Sequence, residues 1–343
     1  MVKAICKEAE LRSTYLSEKI ETIYFGGGTP SLSTKLEVRS TIEKMKELFD
    51  VAADAEITLE ANPDDITKEN VLGWKEAGIN RLSIGIQSFF EDDLQWMNRA
   101  HSASQAFQCI ELVQSYGFNN ITIDLIYGTP YLDDKKWEQN IRTALSLNIP
   151  HLSCYALTVE PKTALAKMIA THKSADVDAD KQARHFLILT EQLAAAGFEQ
   201  YEISNFSLPG FRSRHNSSYW QGKPYLGLGP SAHSFNGKSR QWNIANNAFY
   251  LKSVEEGIIP FEEEVLTESQ QLNEYIMTGL RTIEGISLNK IARDWGEQKK
   301  TVLIDAAQKH FRLGHLLQVN DVLRLSKDGK FLADGIASDL FQL

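Results

Sequence analysis

The sequence predicts an α/β protein in which parallel strands are joined by crossover helices. Two observations carry this expectation. Short apolar runs alternate with amphipathic helical stretches between residues 21 and 204, the pitch of repeated strand–helix–strand units. Several of the helical stretches end on glycine, at Gly78, Gly117 and Gly197, the residue that closes a helix in the left-handed conformation. A third observation bears on function. Polar residues follow the apolar runs directly, and ligands bind at the C-terminal ends of parallel strands in open sheets and barrels alike. Six strands are visible, enough for an open sheet or for part of a barrel.

In chain order, a helix is expected over 3–19, where Ala4, Ile5, Leu11 and Leu16 fall on one face between charges. Strands follow near 21–25, 55–60, 81–86, 121–126, 151–157 and 201–204, with helices over 34–49, 67–77, 103–116, 134–147 and 179–196. These make a first domain, 1–204. Residues 205–260 are enriched in aromatics, Gly, Asn and Ser, too apolar for a disordered linker and too irregular for strand–helix repeats. They are read as an ordered, loop-rich segment packed on the first domain. Residues 261–343 form a third unit, with helices near 268–281, 287–295 and 299–313, a hairpin turning at Asn320-Asp321 and a last helix near 327–341. Three helices and a hairpin resemble a winged helix. This segment holds 13 acidic and 10 basic side chains, so a packing or partner role is favoured over DNA binding.

Composition narrows the function. With 343 residues, 43% hydrophobic and 24% charged, the chain is an ordinary globular one, and its formal charge of −9 argues against a general nucleic-acid binder. No apolar run approaches a membrane span, and the charged N-terminus lacks a signal-peptide core; the reading is cytoplasmic. The three cysteines, Cys6, Cys109 and Cys154, form neither a local metal loop nor a disulfide framework and are read as incidental thiols.

Five segments carry candidate chemistry: Gly26-Gly27-Gly28-Thr29-Pro30 after the strand IETIYF, TLEANP at 58–63, RLSIGIQSF at 81–89, NRAH at 98–101 and DLIYGTP at 124–130. The glycine run lets backbone approach a ligand without a side chain in the way. Glu60 is either a capping acid or a ligand contact before the Asn62-Pro63 turn. The Gln87 amide can satisfy donor and acceptor needs together. Arg99 either pairs bidentately with a carboxylate or covers surface. Asp124, inside an apolar run, needs a ligand hydroxyl, a cation or a salt bridge.

In this order and spacing the five segments resemble the S-adenosylmethionine (SAM) site of radical SAM enzymes. The branch is that of the oxygen-independent coproporphyrinogen III oxidases and their relatives, the haem chaperones called HemW. The resemblance covers nearly the whole chain and implies an incomplete parallel (β/α) radical SAM barrel with a C-terminal winged-helix-like domain. By it Gly27, Gly28, Thr29, Glu60, Gln87, Arg99 and Asp124 correspond to SAM contacts, the glycine run receiving the amino end of the methionine.

The run His215-Asn216-Ser217-Ser218-Tyr219-Trp220 and GLGPSAHSF at 227–235 look like the chaperone group. That likeness implies a protein that binds haem and delivers it to haem-accepting proteins; the alternative is coproporphyrinogen III oxidase, which decarboxylates propionates in haem biosynthesis. His215 is an axial-ligand candidate for haem iron, with His233 second. Tyr219 and Trp220 offer apolar contact to a porphyrin face, and Asn216 completes the motif. The other reading of this motif is structural. The family's CxxxCxxC loop is absent. The first strand and that loop are therefore expected to be missing, Met1 being an internal start or a cloned boundary. The [4Fe-4S] cluster is expected in the full-length parent only, radical chemistry is not expected of this chain, and the open barrel edge is expected to favour a homodimer.

Overall fold

The computed structural model describes residues 1–342. In chain order its elements begin with α1 (Val2–Leu11), β1 (Ile20–Phe25), α2 (Lys35–Leu48), β2 (Val51–Ala61), α3 (Lys68–Ala77), β3 (Arg81–Gln87), α4 (Glu91–Trp96) and α5 (Ala103–Ser115). They continue with β4 (Ile121–Tyr127), α6 (Asp134–Ser146), β5 (His151–Ala156), α7 (Ala164–Ala170), α8 (Ala179–Ala195), β6 (Glu199–Glu202), β7 (Asn205–Ser207) and α9 (Arg214–Trp220). Next come β8 (His233–Phe235), β9 (Ser239–Asn243), α10 (Asn247–Glu255), β10 (Phe261–Val265), α11 (Glu268–Leu280), β11 (Ile286–Ser287) and α12 (Leu288–Trp295). The chain closes with α13 (Glu297–Arg312), β12 (Leu316–Val319), β13 (Val322–Leu325) and α14 (Ala333–Asp339). Among the described residues no helix is long and apolar enough to cross a membrane.

The seven-stranded sheet runs β1-β2-β3-β4-β5-β7-β6. Strands β2 to β5 pair in parallel in sequence order, the pattern of a (β/α) barrel, and the order ends at β1 and β6 without closing. The barrel is therefore incomplete. The strands obey a period of two. Leu82, Ile84 and Ile86 of β3, and Ile121, Ile123 and Leu125 of β4, are at most 1% exposed. The alternating residues Ser83, Gly85 and Gln87, and Thr122 and Asp124, share the opposite face and are polar or small. Thus the sequence pattern that buries one face also gives the sheet a polar one.

The chain divides into two compact units. One comprises residues 24–35 and 57–212; the other comprises 1–23, 36–56 and the chain from 213 onward. In the first, Thr67, Ser102, Asp133 and Asp178 cap α3, α5, α6 and α8 by accepting a backbone N–H, and Gly78 ends α3 at φ 101°.

In the second unit, buried Glu8 on α1 accepts from Tyr250 Oη and Asn243 Nδ2, both at 2.7 Å, and from the Gly229 N–H at 2.8 Å, with Arg12 at 3.4 Å. A buried carboxylate so surrounded by donors is satisfied, and it explains the GLGP segment as a backbone partner of α1. The same unit holds the antiparallel sheet β10-β9-β8 and the C-terminal array α11, β11, α12, α13 and hairpin β12–β13, sheet order β11-β13-β12. This is the winged-helix arrangement, with Asn320 left-handed at its turn (φ 55°). Asp321 beside it accepts from Ser287 Oγ at 2.6 Å and the Asn289 N–H at 2.8 Å.

Four expectations are corrected. The first helix ends at Leu11, not 19; Ser13 and Thr14 follow, residues that favour turns over helix interiors. The strand expected at 201–204 is a hairpin: Ile203 and Ser204 turn between β6 and β7, and the Glu202 carboxylate accepts the Ser204 N–H at 3.0 Å. Strand β7 pairs antiparallel to β5, so the sheet is not wholly parallel. The last helix is shorter than expected, a 3-10 turn at Lys330–Leu332 leading into α14.

Candidate functional site

In the barrel unit the strand ends gather five of the seven expected SAM contacts. Tyr24, the penultimate residue of β1, donates its hydroxyl to Glu60 Oε1 at 2.6 Å, and the Gly27 N–H reaches Glu60 Oε2 at 3.3 Å. The glycine run is required by geometry at two points. A Cβ on Gly26 would lie 2.4 Å from Tyr24 Cε1 and 2.8 Å from Glu60 Oε1, and Gly27 has φ 78°. Gly28 and Thr29 are exposed beyond it, Thr29 leading into a 3-10 turn that starts at Pro30. These two are joined to the others by the chain alone.

Arg99 donates to Asn62 Oδ1 at 2.9 Å and to the Gly85 carbonyl at 3.4 Å. Its Nε is buried and has no hydrogen-bond partner among the described residues. A Cβ on Gly85 would sit 3.0 Å from Gln87 Nε2 and 3.4 Å from Arg99 Nη2, so glycine here lets the amide and the guanidinium share one face. Gln87 itself is left-handed, φ 67°, a conformation that costs an ordinary residue on the order of 1–3 kcal/mol and marks functional corners.

Asp124 is half-buried, level in register with Ser153 of β5. Burial pushes its carboxyl up to about 7, the Glu60 charge adds to the rise, and the Ser153 hydroxyl and Arg99 oppose it. Among the described residues no salt bridge holds it. Tyr24 is raised above its ordinary value by burial first, then by Glu60 and Asp124. The site thus offers two carboxyls, one guanidinium, an amide and open backbone at the ends of adjacent strands. That set can grip an amino acid's ammonium and carboxylate and a ligand hydroxyl.

The sequence reading missed Tyr24, Asn62 and Ser153. Their signal was present: Tyr24 lies two residues before the glycine run on the polar face of its strand, and Asn62 precedes a proline that fixes the turn.

The second candidate group lies in the other unit, on α9. Ser213 caps this helix by accepting the Asn216 N–H at 3.2 Å. The Glu56 carboxylate accepts the N–H groups of Arg214 and His215 at 3.1 and 3.0 Å, a negative charge at a helix N-terminus. His215 Nδ1 is 3.0 Å from Thr22 Oγ1, and burial lowers the imidazole to about 4. It is neutral at physiological pH, the state in which a histidine ligates iron. The Tyr219 ring meets His215 edge-on at 4.9 Å and Tyr225 at 4.7 Å. The Arg281 guanidinium lies 5.2 Å over Trp220, whose Nε1 is buried with no hydrogen-bond partner among the described residues. His233 is exposed on β8, its ring 6.4 Å from Trp242.

Cys6, Cys109 and Cys154 lie on three different elements, and no group of three metal-ligating side chains occurs among the described residues. The residues present do not fit an iron–sulfur cluster.

The fold is an incomplete, mainly parallel α/β barrel with acids, an amide and glycines at its strand ends, and comparison with known proteins names its family. Residues 7–144 match the family described as the Radical SAM superfamily. Heme chaperone HemW of Bacillus subtilis (strain 168) is 34% identical over 324 residues, 92% of this chain and 84% of that protein. Heme chaperone HemW of Mycobacterium tuberculosis (strain ATCC 25618 / H37Rv) is 33% identical over 341 residues, 98% of this chain and 85% of that protein. The solved structure of coproporphyrinogen III oxidase (HemN) from Escherichia coli superposes with a TM-score of 0.83 over 99% of this chain and 82% of that one, at 20% identity. That likeness establishes the fold. The chain belongs to the radical SAM superfamily and, within it, to the HemW family.

Proposed function

We propose that this protein is a haem chaperone: it takes haem at α9, passes it to haem-accepting proteins in the cytoplasm, and holds SAM at the strand ends of its partial barrel. The observation that carries the haem part is the setting of His215. It is kept neutral by burial, its Nδ1 is engaged by Thr22 at 3.0 Å, and aromatic rings stand beside it. With Nδ1–H donated to the threonine, Nε2 is the nitrogen for iron, the usual arrangement of a ligating histidine whose other nitrogen is anchored. Tyr219 and Trp220 supply flat apolar surface for a porphyrin face. The names of the relatives, Heme chaperone HemW, agree with this reading.

The residues present fit SAM. Gly27, Gly28 and Thr29 leave room for the methionine end, and Glu60 faces its ammonium. Arg99, with an unsatisfied buried Nε, faces its carboxylate. Gln87 and Asp124 meet the nucleoside. When bound, SAM supplies a sulfonium centre; the protein's part is to orient it by these contacts. No step is assigned to an iron–sulfur cluster, because the cysteines do not form a ligand set.

The test is a haem titration of the full chain followed at the Soret band, with His215→Ala, His233→Ala and the double substitution. Loss of axial ligation in His215→Ala and in the double substitution, with His233→Ala unchanged, is expected. Unchanged spectra in all three would remove both histidines as ligands and return the HNSSYW helix to a structural role.

A further inference from the structure

The corner that presents Gln87 is held by buried side chains outside the expected site. Gln87 closes β3 in the left-handed region, and the β3–β4 register shifts between Ile84 and Gln87. The next residue, Ser88, is fully buried. Its Oγ accepts the Phe90 N–H at 3.2 Å and Asn140 Nδ2 at 3.1 Å, and Asn140 Oδ1 accepts the Phe89 N–H at 2.9 Å. Asn140, on α6, is fully buried too. So is Asp93 on α4, whose Oδ1 accepts the Thr129 hydroxyl at 2.5 Å and whose Oδ2 is buried with no hydrogen-bond partner among the described residues; the Ser88 hydroxyl lies near enough to oppose the rise that burial imposes on this carboxyl. Thr129 belongs to the loop after β4, and Lys181 Nζ holds that loop by the carbonyls of Thr129 and Pro130 at 2.7 and 3.2 Å. One buried carboxyl therefore ties α4, directly after the β3 corner, to the loop after β4.

We infer that Asp93 and Asn140 are positioning residues for the SAM site: they hold the Ser88 corner, and through it the left-handed backbone of Gln87, so that the amide stays on the face it shares with Arg99. This rests on the SAM reading above. Without the clamp, a residue bearing a Cβ relaxes toward negative φ, and the amide turns away from that face. Two buried polar pairs, Ser88–Asn140 on the loop backbone after β3 and Asp93–Thr129 between α4 and the loop after β4, cost a great deal if a partner is lost. Such a network under a strained site residue serves to fix geometry.

The test uses S-adenosylhomocysteine binding to the full chain by calorimetry, with the thermal midpoint measured alongside. Asn140→Ala strips a buried amide from the core and threatens folding, so Thr129→Val carries the experiment; it keeps the side-chain shape and removes only the hydroxyl that Asp93 holds. Affinity is expected to fall about three- to tenfold, the size of one lost hydrogen bond. In a Gln87→Ala background the same substitution is expected to change affinity no further. An equal loss in both backgrounds, or a lowered midpoint with unchanged affinity, would overturn the positioning role. If the wild-type chain binds no S-adenosylhomocysteine, the SAM reading itself falls and the inference with it. If it binds and Gln87→Ala is without effect, only the inference falls.

Discussion

Tyr24 donates its phenolic hydrogen to Glu60 at 2.6 Å, across neighbouring strands of the barrel sheet. This bond occupies one oxygen of Glu60 and turns the other toward the Gly27 N–H. The Glu60 charge in turn makes nearby Asp124 hold its own proton more tightly. Tyr24→Phe keeps the ring and removes the donor. Its expected cost is about 0.5–1.5 kcal/mol in S-adenosylhomocysteine affinity. Calorimetry giving equal affinities for Tyr24→Phe and wild type would show that Glu60 does not meet the ligand.

The three glycines of the run respond differently to alanine. Gly26→Ala places a methyl 2.4 Å from the Tyr24 ring and 2.8 Å from Glu60, so it breaks the Tyr24–Glu60 pair and abolishes binding. Gly27→Ala meets no neighbour but sits at φ 78°, at a cost of about 1 kcal/mol or more. Gly28→Ala meets nothing within 4 Å and has no positive φ, so stability is unchanged. Thermal midpoints in the order Gly28→Ala, Gly27→Ala, Gly26→Ala, highest first, are expected; a Gly26→Ala chain that matches wild type would refute the close approach.

Asp124 gives the site a pH dependence near neutrality. Its folded-state pKa is raised from 3.8 to about 7, so between those values the folded chain holds a proton that the unfolded chain has lost. This group's contribution to stability therefore falls as pH rises through that window. Ligand binding runs the other way, because the ionised carboxylate is the better acceptor for a hydroxyl. Affinity for S-adenosylhomocysteine should rise from pH 6 to 8, by at most about tenfold per unit on the acid side. In Asp124→Asn the profile should be flat. A flat wild-type profile would take Asp124 out of the contact set.

Much of the barrel is legible in the sequence because its strands are buried on one face. Runs such as RLSIGIQ and ITIDLIY show both the burial and the polar alternation, and Asp124 and Gln87 stand out for that reason. What is not legible is set by partners distant in sequence. Nothing local in YEISNF says that Glu202 will bond Ser204 and Asn205 and so turn a strand into a hairpin. Asp93 and Asn140 look like ordinary helix residues, and only the fold brings them to Ser88. HNSSYW reads as loop from its composition, yet it is a helix because Ser213 and Glu56 satisfy its first N–H groups.

Four histidines whose pKa burial lowers set the acid limit of the fold. Burial lowers His185 and His215 to about 4, His151 well below its ordinary value, and His101 in the same direction, with Asp134 at 3.2 Å opposing the shift at His185. Unfolded, each takes up a proton near 6.5. The stability they contribute is present above pH 6.5 and is lost as pH falls toward 4, at up to about 1.4 kcal/mol per unit for each. Urea unfolding at pH 7.5, 6.0 and 5.0 should show this decline, and His215→Gln should lessen its slope. Equal slopes in the two proteins would mean that His215 is already protonated in the folded state.

The same low pKa shapes haem ligation, and Thr22 is the residue that exposes it. An ordinary histidine ligand competes with a proton near 6.5; His215, lowered to about 4, does not until well below that. Axial ligation should therefore persist from pH 8 down to 5. Thr22→Val removes the hydroxyl 3.0 Å from Nδ1 and leaves the ring packed against Tyr219. The imidazole then loses the contact that selects its tautomer, and anchors of that kind are worth about 10- to 100-fold in metal affinity. A haem titration of Thr22→Val should keep the wild-type Soret position while its midpoint moves to at least tenfold higher haem. An unmoved midpoint, together with loss of ligation in His215→Ala, would leave His215 as ligand and discharge Thr22 from its support. A Soret band that shifts between pH 7 and 6 would show that the ligating group is not His215, whose imidazole is lowered to about 4.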